Sequence, residues 1–496
     1  MEVTAALLYL IIAIVSVALY FVKRNLNYWK DQGIPHEEPH LLMGNFRGVR
    51  TKYQIGEIIG NYYKKFKGTG PFAGIHIVQR PGVVLLDKGL IKNVLIKDFN
   101  NFVNRGMYYN EKNDPLTGNL FFMDGQLWRV LRNKLSPTFT SGKMKYMYPT
   151  VLNVAEKFMQ VLKEKVNEDP IVDVRDMLGR FTTDVISSVA FGIEVNSLRN
   201  PNSDFPRLGR KLTEQPRHNA LIMAFIDGFP NLSRKLGMRI VPEDVHQFFM
   251  KTIKDTIAYR EKNQIERNDF MKLLLDIKNN KELSGLTIEE MCAQVFVFFL
   301  GGFETSSSTM SFALFELALN THLQDRLREE VNEAYDKQQG FNYECLKNMT
   351  YLDQVLSETL RKYPIVPQLN RQAAQDYAVP GHPEYVIKKG MPVLIPVLGI
   401  HHDPEFYPNP QEFDPERFDP EVAKQRDPME YLPFGDGPRN CIGERFGKMQ
   451  SHLGLANLIR NFRFSTCSKT EVPIKLDPKA VTYSPKNTIY LKVEAI

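Results

Sequence analysis

Four cysteines and two tryptophans are all that the 496-residue chain holds of either type. So few thiols in so long a chain exclude a small, disulfide-stapled secreted scaffold. A strong charge excess is missing too. Lys and Arg number 63 against 57 Asp and Glu, a formal net charge of +6, too weak to point to nucleic acid. It still suits an anionic membrane surface or an acidic partner. No internal repeat with a period of about 20–50 residues is visible, which removes solenoids and propellers. No Gly/Ser linker divides the chain after residue 40, so one large domain is expected. No G-x-S-x-G occurs, which removes a membrane serine hydrolase of that kind. Flavin and nicotinamide fingerprints are lacking as well: Gly68-Thr69-Gly70 runs straight into Pro71.

What is present is globular in composition, 43% hydrophobic and 24% charged, with 32 Phe and 21 Tyr. Between Val3 and Val22 no residue carries a charge. At about 1.5 Å per residue such a helix reaches about 30 Å, the hydrocarbon thickness of a bilayer. Lys23, Arg24 and Lys30 follow directly, so the C-terminal side is expected to stay cytoplasmic. A cleaved signal would need a basic start and a small-residue cleavage site. Here Glu2 leads and Tyr20-Phe21-Val22-Lys23-Arg24 closes the run, which favours an uncleaved anchor over residues 1–24. The sequons at Asn231 and Asn348 would then face the cytosol unused.

His36-Glu37-Glu38-Pro39-His40 matches the zinc-protease pattern H-E-x-x-H. That chemistry needs both histidines one turn apart on a helix, and Pro39 between them disfavours helix at Glu38. Residues 25–45 read instead as a stiff, non-helical hinge, and residues 46–496 as the catalytic body. Helical patterns dominate from about 145 to 365. Strand-like runs cover Gly74–Asp87, Tyr385–Val397 and Thr488–Val493, and the proline-rich stretch His382–Arg439 reads as a long coil. The fold class expected is mainly α with small β-sheets, preceded by a single transmembrane helix.

One helix stands apart. Thr287 and Glu290 have capping-box spacing, and an apolar run follows to about Asn320. Met291–Leu300 is apolar almost all round, so this helix is expected in the core. Gly301-Gly302-Phe303-Glu304-Thr305-Ser306 then interrupts it. A glycine costs about 1 kcal/mol against alanine in a helix, and a buried carboxylate more unless satisfied. Two readings stay open. One is a kink with solvated polar groups. The other is a groove where a bulky flat ligand lies against the backbone, with Glu304 and Thr305 handling protons.

Near the C-terminus stands Phe434-Gly435-Asp436-Gly437-Pro438-Arg439-Asn440-Cys441-Ile442-Gly443, ahead of a helical pattern from about Glu444 to Phe462. Glycines on both sides let the backbone turn around one sulfur. Arg439 and the helix N-terminus are expected to favour thiolate over thiol. A lone cysteine is ordinarily a small buried hydrophobe, which suits Cys292, Cys345 and Cys467. It does not account for Cys441, held in ten residues of turn chemistry. A metal ligand and a nucleophile both remain open for that thiolate.

The run Phe434–Gly443 resembles the haem-binding F-x-x-G-x-R-x-C-x-G signature of the cytochrome P450 family at every fixed position. Gly302-Phe303-Glu304-Thr305 is similar to its oxygen-activation motif, Glu358-Thr359-Leu360-Arg361 to its E-x-x-R helix, Pro415-Glu416-Arg417-Phe418 to its P-E-R-F segment, and Trp128–Arg132 to its W-x-x-x-R. All five occur in family order over roughly residues 30–496. Pro137–Met144 further resembles the insect microsomal branch called family six.

The resemblance implies haem b, with Cys441 as the iron's thiolate ligand, which favours O–O cleavage. His401 and His402 are a tempting but structural pair. Phe434 belongs to the haem loop, Arg132, Arg371 and Arg439 would pair the haem propionates, and Trp128 would add an indole donor. Thr305 and Glu304 would serve proton delivery to bound oxygen. Glu358, Arg361 and Arg417 would form a buried ionic triad supporting the haem loop. Phe121, Phe122, Phe298, Ile365, Val366 and Ser484 are the substrate-pocket candidates by family position.

The implied activity is insertion of one atom of O2 into hydrophobic small molecules: plant toxins, insecticides, or endogenous hormones and lipids. With no nucleotide or flavin motif of its own, the chain would draw electrons from NADPH through a separate flavoprotein reductase, and cytochrome b5 is a further partner of such proteins. Arg445 and Lys448 are candidates for meeting the reductase. The implied location is the endoplasmic reticulum membrane, catalytic body on the cytoplasmic face. The apolar run Ala220–Ile226, followed by Phe229 and bracketed by Arg210, Lys211, Arg217, Arg234 and Lys235, reads either as a loop dipping into lipid or as a core helix. Two other functions stay in view: a reductase-independent isomerase or dehydratase, and a non-catalytic haem protein that binds lipophiles.

Overall fold

The computed structural model describes residues 2–215, 217–280 and 285–496, with the side chains of Glu2, Val3, Ala18, Arg210, Leu212, Thr213, Glu214, Ala220 and Leu221 outside the described set. A helix over Glu2–Leu26 opens the chain. Its stretch Thr4–Leu26 is long and apolar enough to cross a membrane, and its apolar window is 0% buried. The segment behind it is pinned to the body. Trp29 is buried and donates its indole N–H to Ile75 O at 3.1 Å. Gly74 N donates to Pro35 O at 2.8 Å, and the Tyr62 hydroxyl donates to Gly74 O at 2.6 Å. Residues 29–37 thus dock on the first sheet, and the segment expected to be non-helical holds a short helix over Tyr28–Asp31. His36 lies in an isolated bridge to Gly74, outside any helix, and no group of metal-binding side chains occurs among the described residues.

Nine strands form three small sheets among the described residues. β1 (Phe72–Ile77) and β2 (Arg80–Leu85) make a hairpin. The expected run Gly74–Asp87 is therefore two strands, split at Val78, whose φ of 59° marks the turn. β3 covers Ile171–Asp173, β4 Leu369–Gln372, β5 Tyr377–Val379, β6 His382–Ile387 and β7 Pro392–Ile395. β8 covers Phe462–Ser465 and β9 Tyr490–Ala495. The largest sheet runs β1-β2-β7-β4. β7 joins β2 in parallel and β4 antiparallel, which sets Arg371 opposite Val393. The expected run Tyr385–Val397 is also broken, with Gly390 at φ 83° between β6 and β7. The stretch His382–Arg439 departs from the coil expectation. It holds β6, β7, a short helix Val397–His401 and the 3-10 turn Pro415–Phe418.

Helices make up the rest. The central one spans Ile288–Leu319, capped as the spacing requires: Glu290 N donates to Thr287 Oγ1 at 3.1 Å and Thr287 N to Glu290 Oε2 at 2.8 Å. It continues as α-helix through the two glycines. Gly302 allows close packing against the helix Val174–Ile186, where a Cβ would stand 2.6 Å from Ile186 Cδ1. On another side Gln450 Nε2, from the helix Glu444–Asn461, reaches Gly302 O at 3.3 Å. Below, Lys362 and Tyr363 close on Glu316 at 2.7 and 2.5 Å. One apolar core surrounds this helix, and a second backs the β1-β2-β7-β4 sheet. Between the cores lies the cysteine loop.

Candidate functional site

The loop 434–443 is shaped by two left-handed glycines. Gly435 has φ 68° and Gly437 φ 74°. A Cβ on Gly437 would overlap the carbonyl oxygen of Leu95, so only glycine fits there. Cys441 N donates to Phe434 O at 2.8 Å, which closes the loop and turns the sulfur inward. Cys441 counts as exposed although it lies inside the protein. Its exposure is to a cavity of about 310 Å³ that it helps to line. Burial pushes the thiol up, against the Gly443 N–H and the charges of Arg132 and Arg105, which pull it down. Gly443 is the N-cap of the helix Glu444–Asn461, so the helix terminus does pull toward thiolate, and Arg132 and Arg105 supply the cationic pull beside it.

Arginines ring the same cavity. Arg105, Arg132, Arg371 and Arg439 all line it, with Trp128 between them. Arg132 lies on the helix Gly125–Leu135 and donates to Asn440 O at 2.9 Å and Asn440 Oδ1 at 2.8 Å. Arg439 is held by the carbonyls of Val103 and Met123, by Asp124 Oδ1 at 3.3 Å, and by the Trp128 ring 4.7 Å from its Cζ. Arg371 comes from β4 and is buried. The Nε atoms of Arg371 and Arg439 are both buried with no hydrogen-bond partner among the described residues. Burial lowers all four guanidiniums, Arg371 and Arg439 to about 10, and Arg105 is lowered further by repulsion from Arg439 and Arg371. Guanidiniums do not release their protons in proteins. The shifts therefore reflect chiefly the burial of these cations, with repulsion adding to it at Arg105, Arg371 and Arg439. Asp124 is the carboxylate that reaches them, and burial raises it in turn.

The central helix forms the opposite wall. Gly301 presents open space, with nothing within 4 Å of a Cβ placed there. Thr305 lines the cavity, its hydroxyl donating to Gly301 O at 2.5 Å. Glu304 does not line it. Its Oε1 accepts from Thr482 Oγ1 at 2.8 Å, on the far C-terminal strap. Of the two readings of this stretch, the unbroken helix beside a cavity is the one observed. A thiol, a wall of backbone opened by glycine, and four guanidiniums at the rim suit a flat, dianionic, metal-bearing ligand. Haem, with two propionates and an iron, fits that donor set.

Phe121, Phe298, Ile365, Val366 and Phe434 all line the cavity, joined by Phe139 and Phe270. Phe122 and Ser484 do not. Phe122 packs edge-on against Phe121 at 5.2 Å between centroids, and Ser484 is buried within the strap beside Thr482 at 3.2 Å. Glu358 and Arg361 lie wholly buried on the helix Thr350–Lys362, bonded through two N–H groups at 2.6 and 2.8 Å. Arg417 completes the cluster at 3.6 Å from Glu358 Oε1, an ion pair without a hydrogen bond. His401 is buried, and its Nε2 accepts from Leu432 N at 2.9 Å, so it props the loop from outside the cavity. His402 Nε2 meets Lys362 O at 2.8 Å.

Arg445 is exposed and donates to Phe139 O at 3.2 Å. Lys448 stands between Glu444 at 3.6 Å and Asp353 at 4.0 Å, with Phe434 5.9 Å away. The run Ala220–Ile226 belongs to a helix Ala220–Gly228, followed by Pro230–Lys235. Ile226 is buried, while Ile222, Phe229, Leu232 and Leu236 are exposed. One side of it therefore packs on the body and the other faces out. Sequence reasoning missed Arg105, Asp124 and Thr482. Asn104-Arg105-Gly106 carries no motif, and Thr482 meets Glu304 across 178 positions.

Comparison with known proteins agrees with this geometry. The family model described as Cytochrome P450 matches residues 34–493. The chain is similar to Cytochrome P450 6A1 of Musca domestica, 63% identical over 100% of this chain and 99% of that protein. It is similar also to Cytochrome P450 6a9 of Drosophila melanogaster, 52% identical over 100% of both chains. Cytochrome P450 6a2 of the same fly is 49% identical over 99% of both.

Proposed function

Because the chain belongs to the cytochrome P450 family, we propose that this monooxygenase works on hydrophobic small molecules while anchored in the endoplasmic reticulum membrane, with electrons from NADPH delivered by a separate flavoprotein reductase. The overall reaction is RH + O2 + NADPH + H⁺ giving ROH + H2O + NADP⁺. The observation that carries it is the convergence of the Cys441 sulfur and four guanidiniums on one apolar cavity.

Haem held there supplies reductive activation of O2 and transfer of one oxygen atom to a C–H bond. Cys441 would ligate its iron, and Arg105, Arg132, Arg371 and Arg439, with Trp128, would hold the propionates. Thr305 lines the cavity from the opposite wall; its hydroxyl proton rests on Gly301 O, which leaves its oxygen to accept, and handing a proton on would require that bond to be exchanged. Glu304, one residue before it on the same helix, is the acid that replenishes that proton. Phe121, Phe139, Phe270, Phe298, Ile365 and Val366 exclude water and accept an apolar substrate. Plant toxins, insecticides, hormones and lipids all meet that description.

Residues 1–24 would anchor the enzyme, with Lys23, Arg24 and Lys30 keeping the body cytoplasmic. The exposed side chains Ile222, Phe229, Leu232 and Leu236 would rest on the same lipid surface. The mildly basic helix start at Arg445 and Lys448 would meet an acidic reductase face, and cytochrome b5 could use the same ground.

The test is the carbon monoxide spectrum of the reduced protein, together with product formation in the presence of NADPH and reductase. A thiolate-type Soret band is expected, lost with the oxidation in Cys441→Ser. An imidazole-type band in the native protein, or undiminished hydroxylation by Cys441→Ser, would overturn the assignment.

A further inference from the structure

Glu304 sits beside the cavity without lining it, and one of its contacts is with the C-terminal strap. Its Oε1 accepts a hydrogen bond from the Thr482 hydroxyl at 2.8 Å. A hydroxyl has one proton to give. With that proton committed to the carboxylate, the Thr482 oxygen is left to accept, and Ser484 Oγ stands 3.2 Å from it. Thr482 is half-buried beside the exposed Val481, so the pair lies where the protein meets solvent.

The strap that carries Thr482 is fixed on three sides. Tyr483 N donates to Ile365 O at 2.9 Å, and Asp477 N to Ser484 O at 2.9 Å. Gln54 Nε2 reaches Ala480 O at 3.4 Å and Val481 O at 3.3 Å. Ile365 is itself a wall of the cavity. The strap therefore ties the carboxylate of Glu304 to the wall that an apolar substrate would touch.

We propose that Thr482 is a positioning residue for proton delivery: it latches Glu304 on the outer side of the central helix, at the solvent end of the path to Thr305, and links that position through Tyr483 and Ile365 to the occupancy of the cavity. The proposal deepens the monooxygenase reading and rests on it. Thr482 is not among the residues that line the cavity. It sets where the acid waits.

The experiment compares Thr482→Val, which keeps the shape and removes the donor, with Thr482→Ser, which restores it. The full haem-loaded chain is supplied with reductase, NADPH and ethoxycoumarin as probe. An unlatched acid delivers protons irregularly, so hydrogen peroxide released per NADPH should rise about fivefold in Thr482→Val, part of the roughly hundredfold worth of general acid catalysis. KM should move by less than about twofold, because the change is not in substrate binding. Thr482→Ser should bring the leak back toward the native level. Equal leakage in Thr482→Val and the native enzyme, or equal leakage in both variants, overturns the proposal.

A second readout needs no turnover. In a thermal-unfolding cycle with Glu304→Ala, the shift caused by Thr482→Val should shrink once Glu304 is gone. Additive shifts would remove the latch. A native protein without NADPH-dependent product would sink the monooxygenase reading, and the unfolding cycle would still decide the contact.

Discussion

Arg361 grips Glu358 through Nε at 2.6 Å and a second N–H at 2.8 Å, and neither side chain reaches solvent. The same guanidinium donates to His401 O at 3.0 Å and to Glu412 O at 3.1 Å. His401 in turn accepts from Leu432 N, two residues before the cysteine loop begins. A chain of bonds thus runs from the helix Thr350–Lys362 to the turn that presents Cys441.

Arg361→Ala breaks that chain at its charged end. It leaves the Glu358 carboxylate buried with only Arg417 at 3.6 Å and the Asp414 N–H at 3.0 Å. Removing one partner of a buried pair costs about 3–5 kcal/mol. The expected outcome is protein without haem and with a lowered unfolding midpoint, read by haem absorbance per polypeptide. Haem content equal to the native protein's would end the supporting role.

Two glycines give opposite expectations from the same substitution. Gly437→Ala forces a Cβ into the Leu95 carbonyl at a φ of 74°, so loop and backbone must shift. Loss of the thiolate-type carbon monoxide band is expected. Gly301→Ala meets open space on a continuous helix and should fold at least as stably. Its methyl would project where ligands lie, so its effect should appear in substrate-binding spectra instead. Matching behaviour of the two variants would count against this reading of the cavity wall.

These contrasts mark how far sequence could be read. The capping box at Thr287 and Glu290, the buried helix behind it, and the glycine-bounded cysteine are local patterns, and each folded as its spacing required. Position along the chain also placed Phe121, Phe298, Ile365 and Val366 on the cavity. Phe122 does not line the cavity; its ring packs edge-on against Phe121, which does. The hairpin at Val78 and the break at Gly390 were hidden because a turn of two to four residues leaves apolar runs looking continuous. Arg105 and Thr482 were invisible for a different reason: each acts on a partner brought near only by the tertiary fold.

Arg105 is the sharpest of those omissions. It lines the cavity, stacks on Phe121 with its Cζ 4.3 Å from the ring centroid, and is repelled by Arg439 and Arg371. A dianionic cofactor relieves that repulsion. Hydrogen bonds to charged groups contribute about 1.5–3 kcal/mol, or roughly 10–100-fold in an equilibrium. Arg105→Ala should therefore lose haem about tenfold or more faster to an apomyoglobin trap, while Arg105→Lys recovers part of the difference. The haem-free Arg105→Ala protein should be no less stable than the haem-free native chain, because a buried cation repelled by Arg439 and Arg371 has gone. An unchanged loss rate would place Arg105 outside the cofactor site.

Burial makes the two adjacent histidines an acid-sensitive element. His401 is pushed from 6.5 down to about 3, chiefly by desolvation, and His402 to about 4 for the same reason. Both are neutral in the folded protein near neutral pH. Below about 6.5 the unfolded chain takes up protons there and the folded chain does not, so stability falls with falling pH. The loss runs from about pH 6.5 to the folded values near 4 and 3, at about 1.4 kcal/mol per pH unit for each histidine that protonates only when unfolded. Other groups contribute their own slopes, so the diagnostic quantity is a difference. His401→Gln keeps an acceptor for the Leu432 N–H and removes the titration. Its unfolding midpoint, followed from pH 7 to 5, should fall less steeply than the native protein's. A parallel pair of curves would mean that His401 already carries its proton in the fold, against its burial and against the bond by which its bare nitrogen holds the loop.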